Sequence, residues 1–206
     1  HGTTFLKQVL LETTQHIDWL SEPISGDRFD TVTKPLWEFL DSLHPHLWRT
    51  GQEFPDSAEV MMDLFSDGLL DIALSFNPND ASQRIIDGRF ASSVRSYVHD
   101  GGTIGNTHFL AIPFNTSARA GALVWINLLL SAEAQADKAS PSVWGDPTVI
   151  DVTRLSEEDR GLFDSVDLGP ATLTSDALGT PLPEPHASWV EPLEVAWKER
   201  YFGQTR

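Results

Sequence analysis

Asp71-Ile72-Ala73-Leu74-Ser75-Phe76, running into Asn77-Pro78-Asn79-Asp80, is the stretch on which the fold assignment turns. Apolar residues closed by a turn of Asn, Pro and Asp predict a strand that ends in a polar loop. Ala81 to Gly88 predicts a short helix directly after it. In α/β proteins, ligands gather where a strand passes into such a loop.

Working towards the start, Ala58, Met61, Met62, Leu64 and Phe65 predict a helix led by Pro55-Asp56-Ser57 and stopped by Gly68. Leu47 to Phe54 reads as a short strand. Val32, Leu36, Phe39, Leu40 and Leu43 mark a helix with Pro35 in its first turn, ended by His44-Pro45-His46. Thr3 to Leu20 carries Phe5, Val9, Leu10, Ile17 and Leu20 at helical recurrence, with Thr3 or Thr4 as cap. The opening His1-Gly2-Thr3-Thr4 has neither the basic nor the apolar region of a secretory leader.

Working towards the end, Ser93 to His99 alternates as a half-buried strand, Gly101-Gly102-Thr103 turns the chain, and His108 to Pro113 predicts another strand. Ala118 to Leu130 gives the clearest helix, with Ala122, Leu123, Ile126, Leu129 and Leu130 in one apolar stripe and Ser131 capping a continuation to Ala139. From Pro141 the chain becomes Pro-rich and irregular, with short helices expected at Ser156 to Phe163 and around Trp189 to Trp197. This alternation of strands and helices points to an α/β fold.

Charge and composition restrict the function classes. The 206 residues hold 14 Lys and Arg against 30 Asp and Glu, a net charge of −16, which repels nucleic acid and anionic lipid alike. Cysteine is absent, so disulfides, thiolate nucleophiles and Cys-ligated metals are excluded. No Gly-x-Ser-x-Gly, Gly-Lys-Ser/Thr or His-Glu-x-x-His pattern occurs, and the pair His44 and His46 reads as a helix terminus, so no metal site, cofactor or catalytic residue is assigned. Neutral hydrogen-bonding loops remain: Gly2-Thr3-Thr4, Ser75-Phe76-Asn77, Gly105-Asn106-Thr107 and Asn115-Thr116. Exposed helix amides with nearby hydroxyls can hold an anion, and Phe76 or Trp144 could cover an apolar portion of a ligand. That pattern suits binding better than catalysis. Asn115-Thr116-Ser117 matches a glycosylation sequon that reads as accidental.

Further motifs carry a resemblance. Asn106-Thr107-His108-Phe109-Leu110-Ala111-Ile112-Pro113-Phe114-Asn115, with Ala120-Gly121-Ala122-Leu123 and Leu129-Leu130-Ser131-Ala132-Glu133-Ala134-Gln135, resembles the extracellular solute-binding component of an ABC importer, extracellular solute-binding protein family 1. Trp144-Gly145-Asp146-Pro147-Thr148-Val149-Ile150, Gly2-Thr3-Thr4-Phe5-Leu6-Lys7 and Asp67-Gly68-Leu69-Leu70-Asp71 are similar to its YnjB-like subgroup. The resemblance covers nearly the whole chain and implies a C-terminal portion of a periplasmic binding protein-like type II fold. Residues 1–105 would form a second-lobe α/β region, 106–140 a crossover strand and helix, and 141–206 a wrapping segment. It implies a periplasmic protein, monomeric when full-length, that captures a small solute in an interlobe cleft and delivers it to an inner-membrane ABC permease without catalysis. Closure would shift a population of states rather than drive a reaction. Thr3, Thr4, Ser75, Asn77, Asn106 and Thr107 are the ligand-binding candidates carried over. The solute stays open among iron, thiamine-like cations, polyamines and small sugars. The alternatives are a protein-interaction module built on the aromatic, Pro-rich C-terminal region and a hydrolase domain using His108 with a nearby carboxylate.

Overall fold

The computed structural model describes residues 1–202. Its helices are α1 (Gly2–Thr13), α2 (Ile17–Leu20), α3 (Gly26–Leu43), α4 (Ala58–Ser66), α5 (Asp80–Ile86), α6 (Arg119–Leu129), α7 (Ala132–Ala139), α8 (Glu157–Asp164), α9 (Ser175–Leu178) and α10 (Val190–Tyr201), with short 3-10 turns between them. The chain divides into two compact units. The first takes in His1–Leu74, His99–Gly105 and the chain from Gly179; the second takes in Ser75–Val98 and Asn106–Leu178.

The α/β, type II binding-protein expectation is overturned. No sheet forms among the described residues, whose isolated β-bridge is a parallel pairing of Ile104 with Leu182. The segments 71–76, 93–99 and 108–113, each expected as a strand, run without a ladder. Alternation gives a segment two faces, but a strand also needs a neighbour for its amides and carbonyls, and here none is supplied. Leu47 to Phe54 departs further, because Arg49, Thr50 and Gly51 all have positive φ within a 3-10 turn at Trp48–Gly51, which no strand accommodates.

In the first unit, α1 packs against α3 and α10. Leu6, Val9 and Leu10 of α1 meet Val32, Leu36 and Leu40 of α3, with Trp189 and Leu193 completing a core that also takes in Leu11 and Leu20. The recurrence at three and four residues puts these side chains on one face of each helix. The single helix expected over Thr3 to Leu20 is two, since Thr14 is extended and breaks it. Pro35 lies well inside α3, whose start at Gly26 precedes the expected one. Buried Thr33 meets its polar need locally, donating to Phe29 O at 2.9 Å and accepting from Trp37 Nε1 at 3.0 Å. Buried Gln8 donates to Gly102 O and accepts from Ile104 N, both at 2.8 Å, and so anchors the segment 99–105.

In the second unit, α7 packs on α8. Buried Gln135 donates to Leu129 O at 2.7 Å and accepts from Val149 N at 3.1 Å, which ties the end of α6 and the segment after Asp146 to α7. Ser82 of α5, fully buried, accepts from Ala171 N at 2.9 Å and bonds Thr172 Oγ1 at 2.7 Å. α6 ends at Leu129 with Leu130 as its C-cap, and Ser131 caps α7 as expected, accepting from Ala134 N at 3.3 Å, so the continuation to Ala139 is a separate helix.

Candidate functional site

The loop before α5 builds a compact polar turn. Ser75 Oγ accepts from Asn77 N at 3.1 Å, and Asn77 Oδ1 accepts from Asn79 N at 2.9 Å, so each side chain substitutes for a backbone partner within a few residues. Asn79 is buried, and its carbonyl accepts from Gln83 N at 3.0 Å to open α5. The amides of both Asn side chains then reach across the second unit. Asn77 Nδ2 donates to Trp144 O at 3.1 Å, and Asn79 Nδ2 donates to Gly145 O.

Gly145 is what lets these segments meet. It has φ of +74°, and a Cβ there would lie 2.7 Å from Asn79 Cβ. Ser140 O receives the amides of Val143, Trp144 and Gly145, which closes the turn after α7. The Trp144 ring is left half exposed, with Lys138 Nζ 5.4 Å from its centroid and the His108 ring 5.2 Å away. Lys138 is held by Asp146 Oδ2 at 2.7 Å and by Pro147 O at 2.6 Å. His108 Nε2 stands 3.8 Å from the same carboxylate oxygen. An indole face bordered by a cation, an imidazole and a carboxylate can stack against a flat or cationic group and bond its polar edge. Asn79 Oδ1 and Gln83 Oε1, one helical turn apart, are buried acceptors without a partner in the structure.

The six sequence-derived candidates fall in both units. Ser75 and Asn77 stand in the junction just described. Asn106 and Thr107 are exposed, joined by a bond from Thr107 N to Asn106 Oδ1 at 2.7 Å, and precede His108. Thr3 and Thr4 occupy the first turn of α1 in the other unit, where Thr3 Oγ1 donates to Glu194 Oε1. That start of α1 therefore already has a carboxylate beside it, the sign its dipole favours. Asn79, Gly145, Lys138 and Asp146 were missed as site residues. Asn79 and Gly145 lie 66 residues apart, and only the Asn-Pro-Asn turn and the Trp-Gly pair mark them in the sequence.

A different cluster closes the other unit. Arg200 and Tyr201 of α10 both bond Asp41 of α3, with Tyr201 Oη donating at 2.8 Å, and the Tyr201 ring stacks on His44 at 3.6 Å between centroids. The Arg200 hydrogen bond, helped by that of Tyr201, holds the Asp41 carboxyl below its ordinary value against the opposing effect of burial. Burial first, and Asp41 second, push the Tyr201 phenol up. The cluster fastens two helix ends together. Among the described residues no group of His, Asp and Glu has metal-site geometry.

Comparison with known proteins gives one informative relation. No family model matches the chain, and no solved structure matches it. Protein YnjB of Escherichia coli (strain K12) is 43% identical over 203 residues, a span that takes in 97% of this chain and 50% of that protein. The similarity to that protein runs along nearly all of this chain, which spans about half the length of that relative.

Proposed function

We propose that the chain is part of a solute-binding component of an ABC importer, working in the periplasm and handing a small solute to an inner-membrane permease. The observation that carries this reading is the half-exposed Trp144 indole, set by the bonds from Asn77 and Asn79 and edged by Lys138, His108 and Asp146. Such a surface supplies one stacking face and a few directional polar groups, which is how small-molecule sites combine affinity with orientation. The resemblance of Asn106 to Asn115 and of Leu129 to Gln135 to solute-binding components points the same way.

Native mass spectrometry of the purified chain, compared with the denatured sample, tests the proposal. A discrete small mass released on denaturation, absent from a Trp144→Ala variant of unchanged circular dichroism, is the expected result. Retention of that mass by the variant would place binding elsewhere. Failure of the chain to be captured by membranes carrying the cognate permease would count against the delivery step.

A further inference from the structure

Where the loop before α5 meets the turn after α7, two polar atoms are left without partners. Asn79 is 2% exposed, and its Oδ1 and the Oε1 of Gln83 are both enclosed without a donor. Reversing either side-chain amide does not cure this. Asn79 Nδ2 donates to Gly145 O, so the reversed amide would set two oxygens against each other and strand an N–H instead. Gln83 Nε2 donates to Asp87 Oδ1 at 2.8 Å, and reversal would turn its oxygen on a carboxylate. Asn79, Gln83 and Ile86 follow at i, i+4 and i+7 along one side of α5. At the Asn79 end this side meets the 140–147 turn, since a Cβ on Gly145 would stand 2.7 Å from Asn79 Cβ and 3.3 Å from Pro141 Cα. At the Ile86 end it faces Ser140, Pro141 and Ser142 across a groove.

Closing this junction forms two hydrogen bonds, from Asn77 Nδ2 to Trp144 O at 3.1 Å and from Asn79 Nδ2 to Gly145 O. Each replaces a bond to water and nets little, whereas an acceptor buried without a partner forfeits its hydration outright. Two small gains therefore stand against two larger losses. The bonds that shape the turn itself lie on its own side of the junction. Ser140 O receives the amides of Val143, Trp144 and Gly145, Asp146 N donates to Lys138 O at 3.1 Å, and Lys138 Nζ donates to Asp146 Oδ2. All of these survive if the turn parts from α5. We propose that the junction is a latch: the 140–147 turn leaves the loop before α5 as an intact piece, which hydrates Asn79 Oδ1 and Gln83 Oε1, and closes again. Gln83 sets the balance towards the open state, and Trp144 travels with the turn, so the latch governs how its indole is presented. The latch stands whether or not that indole carries a solute.

Hydrogen–deuterium exchange of the whole chain, with no solute added, tests this through the sign of one substitution. Gln83→Met keeps side-chain length and helix propensity, removes the stranded acceptor, and gives up only the bond to Asp87. Exchange over 140–147 is expected to slow at least about threefold, with 157–164 unchanged and the denaturation midpoint not lowered. Asn79→Asp replaces the donor to Gly145 O with a carboxylate, and exchange over 75–80 and 140–147 is expected to quicken together by about tenfold or more. Unchanged or faster exchange over 140–147 in Gln83→Met overturns the proposal, and so does quickening confined to 75–80 in Asn79→Asp. A crystal structure with a protein or water donor within hydrogen-bonding distance of both oxygens, the junction remaining closed, overturns it as well.

Discussion

Gly145 shows how much one residue can decide. Its positive φ and its closeness to Asn79 leave no room for a methyl group, so Gly145→Ala must move the 144–146 turn away from the loop before α5. The expected cost is about 1–3 kcal/mol, the usual strain of a left-handed non-glycine residue, read as a lower denaturation midpoint with loss of solute binding. Asp41 and Tyr201 give the pH dependence. The depressed carboxyl contributes stability that is present above its unfolded value of about 3.9 and is lost as pH falls through the folded value. The raised phenol contributes stability that is present below about 10 and is lost as pH rises further. Denaturation midpoints across pH should therefore fall at both ends. Asp41→Asn should flatten the acid limb, and Tyr201→Phe the alkaline one.

At the scale of elements, helices were readable and strands were not. Ser57 and Gly68 around α4, and Gly88 after α5, are local start and stop signals, and the helices lie where those signals place them. Ser131 accepts from Ala134 N at the start of α7, so Ser131→Ala should cost about 1 kcal/mol and speed amide exchange over Ala132–Ala139. Leu36 is fully buried, and Leu36→Ala should destabilise the α1, α3 and α10 core by about 2–5 kcal/mol, seen in urea unfolding. Ile72, Val98 and Leu110 sit in segments that alternate like strands, but pairing depends on distant neighbours that no local pattern specifies. The same limit applies to the site. Ser75 and Asn77 were legible as a polar turn, whereas the bonds to Trp144 O and Gly145 O join residues 66 or more apart.

Over the whole molecule, the net charge of −16 is a standing cost to compactness. Raising salt from about 0.01 M to about 0.15 M shortens the screening length from ~30 Å to ~8 Å, so the melting temperature should rise. The distribution of apolar surface has a different meaning. The first unit encloses its core around Leu10, Leu36 and Trp189, while Phe109, Phe114 and Trp125 of the second unit remain exposed. Hydrogen–deuterium exchange of the chain with and without the compound released in native mass spectrometry tests solute binding at the Trp144 junction most directly. Slowed exchange over 75–80 and 140–147, abolished by Trp144→Ala, is the expected result. Slowed exchange confined to other segments, or none at all, would contradict it.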